Sequence, residues 1–123
     1  MEKTFLNNSK PMLTVMLQCE TPEVAIGRIR NANCLGADAY GLQVESLKPE
    51  YHNPDTYKRI FAEMKGKPCY VTNYCRGNEV EHTDEELTDE LLEAVECGAK
   101  LIDIRCDLYD RQDGEYTDDV VAV

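Results

Sequence analysis

The chain contains no tryptophan, only two histidines, and six cysteines of which no two form a C-x-x-C pair. Zinc sites need cysteine and histidine ligands at short spacing, so no metal is expected, and no motif implies a cofactor. Cations are also scarce. Thirteen Lys and Arg face 24 Asp and Glu, a formal net charge of −11. Binding to nucleic acid requires clustered cations that displace counterions from phosphates, which excludes nucleic acid as a partner. The same deficit argues against an anionic membrane surface. No apolar run approaches the roughly 20 residues that span a bilayer. The opening MEKTFLNNSKP has no apolar core of the kind a secretory signal needs. A cytoplasmic location is therefore expected, with the cysteines reduced and buried.

What remains is enough for one domain: 123 residues can enclose a sizeable core. The apolar runs are short and strand-like, at Met12–Leu17, Ala39–Val44, Cys69–Asn73 and Leu101–Cys106. Three helical patterns lie between them. Thr21 reads as an N-cap with Pro22 at the first helical position, and Asn53-Pro54 opens the second helix. Thr83-Asp84-Glu85-Glu86 is a capping box ahead of the stripe Leu87, Leu91, Leu92 and Val95. The turns Leu35-Gly36-Ala37-Asp38 and Cys97-Gly98-Ala99-Lys100 resemble each other, each with a glycine to end a helix and lead into a strand.

This is an α/β chain, a parallel βαβαβαβ arrangement with right-handed crossovers. Its strands recur about every thirty residues. That spacing suits a (β/α)8 TIM barrel, which needs on the order of 250 residues, so residues 1–123 supply an N-terminal half-barrel. Thr117-Asp118-Asp119 looks like the start of a fourth helix, with Val120, Val121 and Val123 beginning its apolar face. The expectation is a product truncated or split within that helix.

Side chains alternate along a strand, so each strand presents a second, inward set. That set is Thr14, Met16 and Gln18 on strand one, and Gly41, Gln43 and Glu45 on strand two. Strand three adds Thr72 and Tyr74, with Arg76 beyond; strand four adds Asp103 and Arg105. The polar members gather toward the C-terminal ends, where barrels keep their sites. Gln43, Glu45, Thr72, Tyr74, Arg76, Asp103 and Arg105 are therefore the candidate residues for binding a small polar or anionic molecule. A satisfied internal network, for instance Asp103 or Glu45 with Arg105, is the competing reading of the same face. Elsewhere, Glu79 to Glu93 reads as a solvated helix face and His82 as a surface loop residue.

Three segments in order resemble the N-terminal half of type I 3-dehydroquinate dehydratase, over about Pro11 to Tyr109. "GAD" before a polar strand is similar to the family's Gly-Ala-Asp and Glu-x-Arg-x-Asp. "GKPCYVT" is similar to its third strand, and "ELLEAVECGAKLIDIRCD" to its third helix and fourth strand. The resemblance implies a shikimate-pathway lyase, active in aromatic amino-acid biosynthesis, that dehydrates a cyclic β-hydroxy ketone through a lysine Schiff base assisted by a histidine.

Carried over by position, the family's strand-two Glu falls on Gly41, its Arg on Gln43 and its Asp on Glu45. The strand-three Arg falls on Tyr74, or on Arg76 if the loop shifts, and the strand-four Glu on Arg105. An amide cannot make arginine's charged fork to a carboxylate. The family's lysine and histidine belong to the barrel's second half, and Lys48, Lys100, His52 and His82 do not match them. No catalytic residue is assigned, and this chain alone is expected to be inactive. Two functions stay open: a dehydratase half completed by a second half, or a non-catalytic barrel relative that binds a small ligand or assembles. Its inner face implies a homo-oligomer or a complementary half-barrel.

Overall fold

The structure, a computed structural model, describes residues 5–6, 9–74 and 83–103. The element order is β1 (Thr14–Leu17), α1 (Pro22–Cys34), β2 (Ala39–Gln43), α2 (Pro54–Glu63), β3 (Cys69–Thr72), α3 (Asp84–Glu96) and β4 (Leu101–Asp103). Two short 3-10 turns, Val44–Ser46 and Pro49–Tyr51, join β2 to α2. The expected βαβαβαβ order is thus present. Arg76, Arg105 and the proposed fourth helix lie outside the described residues.

Local chemistry sets the helix ends. The Thr21 hydroxyl accepts from the Val24 amide at 3.3 Å, and Asn53 Oδ1 from the Thr56 amide at 2.9 Å. Pro22 and Pro54 then occupy first-turn positions where a missing N–H costs nothing. The capping box at α3 is reciprocal: Thr83 Oγ1 accepts from the Glu86 amide, and the Glu86 carboxylate from the Thr83 amide. At the other ends, Gly36 and Gly98 adopt φ of 89° and 126°, left-handed values that glycine tolerates without strain. The two look-alike turns are the same hydrogen-bonded motif. Ala37 donates to Ala32 and Ala99 to Ala94, both at 3.0 Å, while Gly36 and Gly98 donate to Asn33 and Val95.

The four strands form one parallel sheet in the order β1-β2-β3-β4. The helices bury one side of it. Ile29 of α1, Tyr57 and Ile60 of α2 and Leu91 of α3 pack with Leu17, Tyr40, Leu42 and Val71 in a single core. Tyr40 is fully buried, and its hydroxyl is satisfied by the Ile29 carbonyl and Asn33 Oδ1 at 3.1 and 2.5 Å.

The opposite side of the sheet carries the other set. Register aligns Met16, Gly41, Tyr70 and Leu101 in one row across all four strands. Met16 and Leu101, on the two outer strands, are 39% and 42% exposed and leave apolar surface on this face. No described helix is long and apolar enough to cross a membrane. The described cysteines Cys19, Cys34, Cys69 and Cys97 are free thiols, but only Cys19 and Cys69 are buried as expected; Cys34, at the end of α1, is exposed and Cys97 is half-buried.

Candidate ligand site on the open sheet face

The next row toward the C-terminal strand ends is polar. Gln43, Thr72 and Asp103 are register partners on β2, β3 and β4. Gln18, one residue past β1, joins them by donating from Nε2 to Gln43 Oε1 at 2.6 Å. Arg28 reaches up from α1 to hold the Gln18 carbonyl at 3.0 Å, which fixes the end of β1. None of the described strand positions on this face carries a cation. Lys48, beyond the row, stands 3.9 Å from Glu20 and is half-exposed.

Glu45 departs from the strand pattern. β2 ends at Gln43, and the chain tightens into a 3-10 turn in which the Leu47 amide bonds the Val44 carbonyl. Leu47 can then enter the core, and Glu45 is carried under the rim rather than along the strand face. It is 9% exposed, with both carboxylate oxygens within 3.2–3.3 Å of the Thr72 hydroxyl, which donates to them. The network and the pocket readings thus divide the face: Glu45 and Thr72 are internally bonded, while Gln43 and Asp103 border open space. Tyr74 lies past the end of β3 and is half-buried.

Gly41 is not a hole where a side chain has been lost. The Tyr70 ring crosses it from β3 and its hydroxyl meets the Met16 sulfur on β1. A Cβ on Gly41 would lie 2.7 Å from Tyr70 Cε1 and Cζ and would collide with Met16 Sδ. Glycine is what lets an aromatic ring lie flat across the sheet. Phe5 stacks edge-on against that ring, with centroids 5.9 Å apart and planes at 76°. The cavity above, of about 450 Å³, is lined by Phe5, Met16, Tyr70, Leu101 and Asp103 among others. Tyr70 is the residue that reading the sequence missed. Its signal was the two-residue phase with Thr72 combined with a glycine on the neighbouring strand.

A second polar cluster sits at the same end of the sheet, on its helix side. His52, in the β2–α2 connection, places Nδ1 2.6 Å from Glu90 Oε1 on α3 and Nε2 2.8 Å from the Leu47 carbonyl. Tyr57 of α2 donates its hydroxyl to the same Glu90 oxygen, and the Asn73 amide reaches Oε2 at 2.9 Å. Hydrogen bonding to Glu90 holds the His52 pKa above its ordinary value, against the opposing effect of burial. For Glu90, desolvation alone would raise the pKa, yet bonds from His52 and Tyr57 bring it below the usual range. Burial and Glu90 push the Tyr57 hydroxyl up, so it stays neutral.

The acidic stretch of α3 is therefore not uniformly a solvated face, because the Glu90 side chain is 16% exposed and fully bonded. No group of His, Cys, Asp and Glu among the described residues is placed to hold a metal ion. No protein-family model matches this chain, and no curated protein matches it either.

Proposed function

We propose that the chain is one half of a (β/α)8 barrel, a relative of the type I 3-dehydroquinate dehydratases, that binds a small polyhydroxylated ligand on its open face without imine chemistry. The likeness to those enzymes rests on the three sequence segments alone. The half-barrel reading is supported by winding. Doubly wound sheets reverse strand order and put helices on both faces. Here the order runs in one direction, and α1, α2 and α3 share one core on one face. A second half, from another copy or a complementary chain, would cover the row of Met16, Gly41, Tyr70 and Leu101 and pair the outer edges of β1 and β4.

The ligand reading is carried by the rim. Gln18, Gln43 and Asp103 offer two amides and a carboxylate at the C-terminal end of the face, while Thr72 between them is buried and spends its hydroxyl on Glu45. Asp103 also borders the apolar floor of Met16, Tyr70 and Leu101. Hydroxyl groups on a small ring can donate to the carboxylate and accept from the amides, while the ring's C–H edges rest on Tyr70 and Met16. Arg105, two positions beyond Asp103, is assigned a ligand carboxylate when one is present. Imine formation needs a desolvated lysine amine, and none of the described open-face positions carries a lysine.

Calorimetric titration with myo-inositol and with quinate tests the site. Both should bind, Gln43→Ala should weaken both, and Arg105→Ala should weaken quinate alone. Heat-silent titrations with both compounds would refute the ligand reading. Borohydride added with 3-dehydroquinate should leave the mass unchanged; an adduct on any lysine, Lys48 included, would overturn the non-catalytic reading. The exposed Met16 and Leu101 also favour a purely assembling module, for which sedimentation would show an oligomer that binds neither compound. A well-folded monomer at high dilution contradicts the half-barrel.

A further inference from the structure

We propose that His52 is a proton-operated latch that ties the loop between β2 and α2 to α3 and to the end of β3. This is independent of any ligand on the open face. The geometry is that of a ring with two acceptors and no donor around it. Nδ1 faces the Glu90 carboxylate at 2.6 Å and Nε2 faces the Leu47 carbonyl at 2.8 Å. A neutral imidazole has a single N–H, so one of these contacts would set a nitrogen lone pair against an oxygen lone pair. Only the imidazolium satisfies both. Tyr57 cannot supply a missing proton, since its own is given to Glu90.

The charges around the ring agree. Among the described residues, Glu90 faces it from α3 and Glu45 from the turn after β2, while Tyr57 of α2 and Asn73 beyond β3 are neutral. Both carboxylates favour the proton. Glu90 in turn is tied to α2 through Tyr57 and to the end of β3 through Asn73, so one carboxylate holds three elements and the loop together. The His52 and Glu90 side chains are 19% and 16% exposed, enough burial that a lost partner is only partly replaced by water.

Losing the proton leaves either the Leu47 carbonyl or Glu90 without its donor. Either way the ring keeps only one of its two bonds, to Glu90 on α3 or to the Leu47 carbonyl within the loop, and the hold of the loop on α3 through His52 is weakened. The same loop begins with the turn that carries Glu45 beneath Thr72, so its release also loosens one side of the polar rim.

The sign follows from linkage. His52 binds its proton more tightly in the closed loop, so the latch is fully engaged below the open-loop value of about 6.5. It is lost as pH rises through the higher closed-loop value. At the acid side it depends on Glu90, whose folded value is lowered, and weakens as pH falls through that value.

The test uses the intact chain and two readouts, the NMR titration of the His52 ring and amide exchange of residues 47–53, corrected for intrinsic rates. His82→Asn assigns the two histidine signals. His52 should titrate above the ordinary histidine value. Across the window between its open and closed values, the open population of the loop should rise about tenfold per pH unit and then level off. Leu42 and Val71 amides in the sheet should keep constant protection. Glu90→Gln should lower the His52 titration point and flatten the pH dependence of the loop. If that variant does not fold, the wild-type measurements decide alone. His52 titrating at or below the ordinary histidine value of about 6.5, or loop protection that stays flat while His52 titrates, overturns the proposal.

Discussion

Gly41→Ala tests the account of the open face through a change of sign. Adding a methyl group to a mid-strand glycine ordinarily stabilises by about 0.5–1 kcal/mol, because glycine loses the most backbone freedom on folding. At this position the new Cβ would lie 2.7 Å from two ring atoms of Tyr70 and would meet Met16 Sδ. Both side chains must move, and Tyr70 can do so only by leaving Met16 and its edge-on contact with Phe5. Overpacking of this kind costs about 1–3 kcal/mol. The net is a loss of about 0–2.5 kcal/mol in the native chain. In a Met16→Ala, Tyr70→Ala background the obstruction is gone and the same substitution should stabilise by about 0.5–1 kcal/mol. Urea unfolding followed by far-ultraviolet circular dichroism measures both legs of the cycle, at constant m-value. If Gly41→Ala destabilises the double variant as much as the parent, the ring is not what requires glycine there, and the reasoning fails.

Other substitutions test the remaining links. Tyr57→Phe deprives Glu90 of one donor in a half-buried site and should cost about 1–3 kcal/mol near neutral pH. Because Glu90 is held below its usual pKa, that cost should shrink as pH falls through its folded value, which urea melts at several pH values would show. Asn53→Ala removes the α2 cap and should cost about 1 kcal/mol by thermal unfolding, while Asn53→Asp keeps the cap acceptor but loses the Nδ2 bond to the Glu50 carbonyl and should cost less. Ile29→Ala opens a void under Tyr40 in the fully buried core and should cost about 2–5 kcal/mol in the same assay.

The helix boundaries were legible because each is settled by bonds spanning a few residues. Thr21, Asn53 and Thr83 satisfy amides three positions on, and Gly36 and Gly98 close turns onto carbonyls of their own helices. The alternation of strand faces was legible for the same reason, since Tyr40, Leu42 and Val71 differ from Gly41, Gln43 and Thr72 in phase alone. What was not legible depends on partners distant in sequence. Glu90 sits in an acidic stretch that by composition belongs in water, and nothing local shows that His52, 38 positions away, will meet it. Glu45 continues the strand's two-residue rhythm, yet the strand ends before it in a turn that leaves Leu47 buried. The need for glycine at position 41 is likewise set from a distance, by the cross-strand register that places Tyr70 beside it.

The polar row at the C-terminal end of the open face is proposed to hold a small hydroxylated ring. Backbone amide shifts of the isotope-labelled chain, followed during titration with myo-inositol, address it directly. The account predicts saturable shifts at Gln18, Gln43, Thr72 and Asp103, with the exposed sides of α1 and α2 unmoved. Shifts confined to the helix surfaces, or none at all up to the solubility of the ligand, would contradict it.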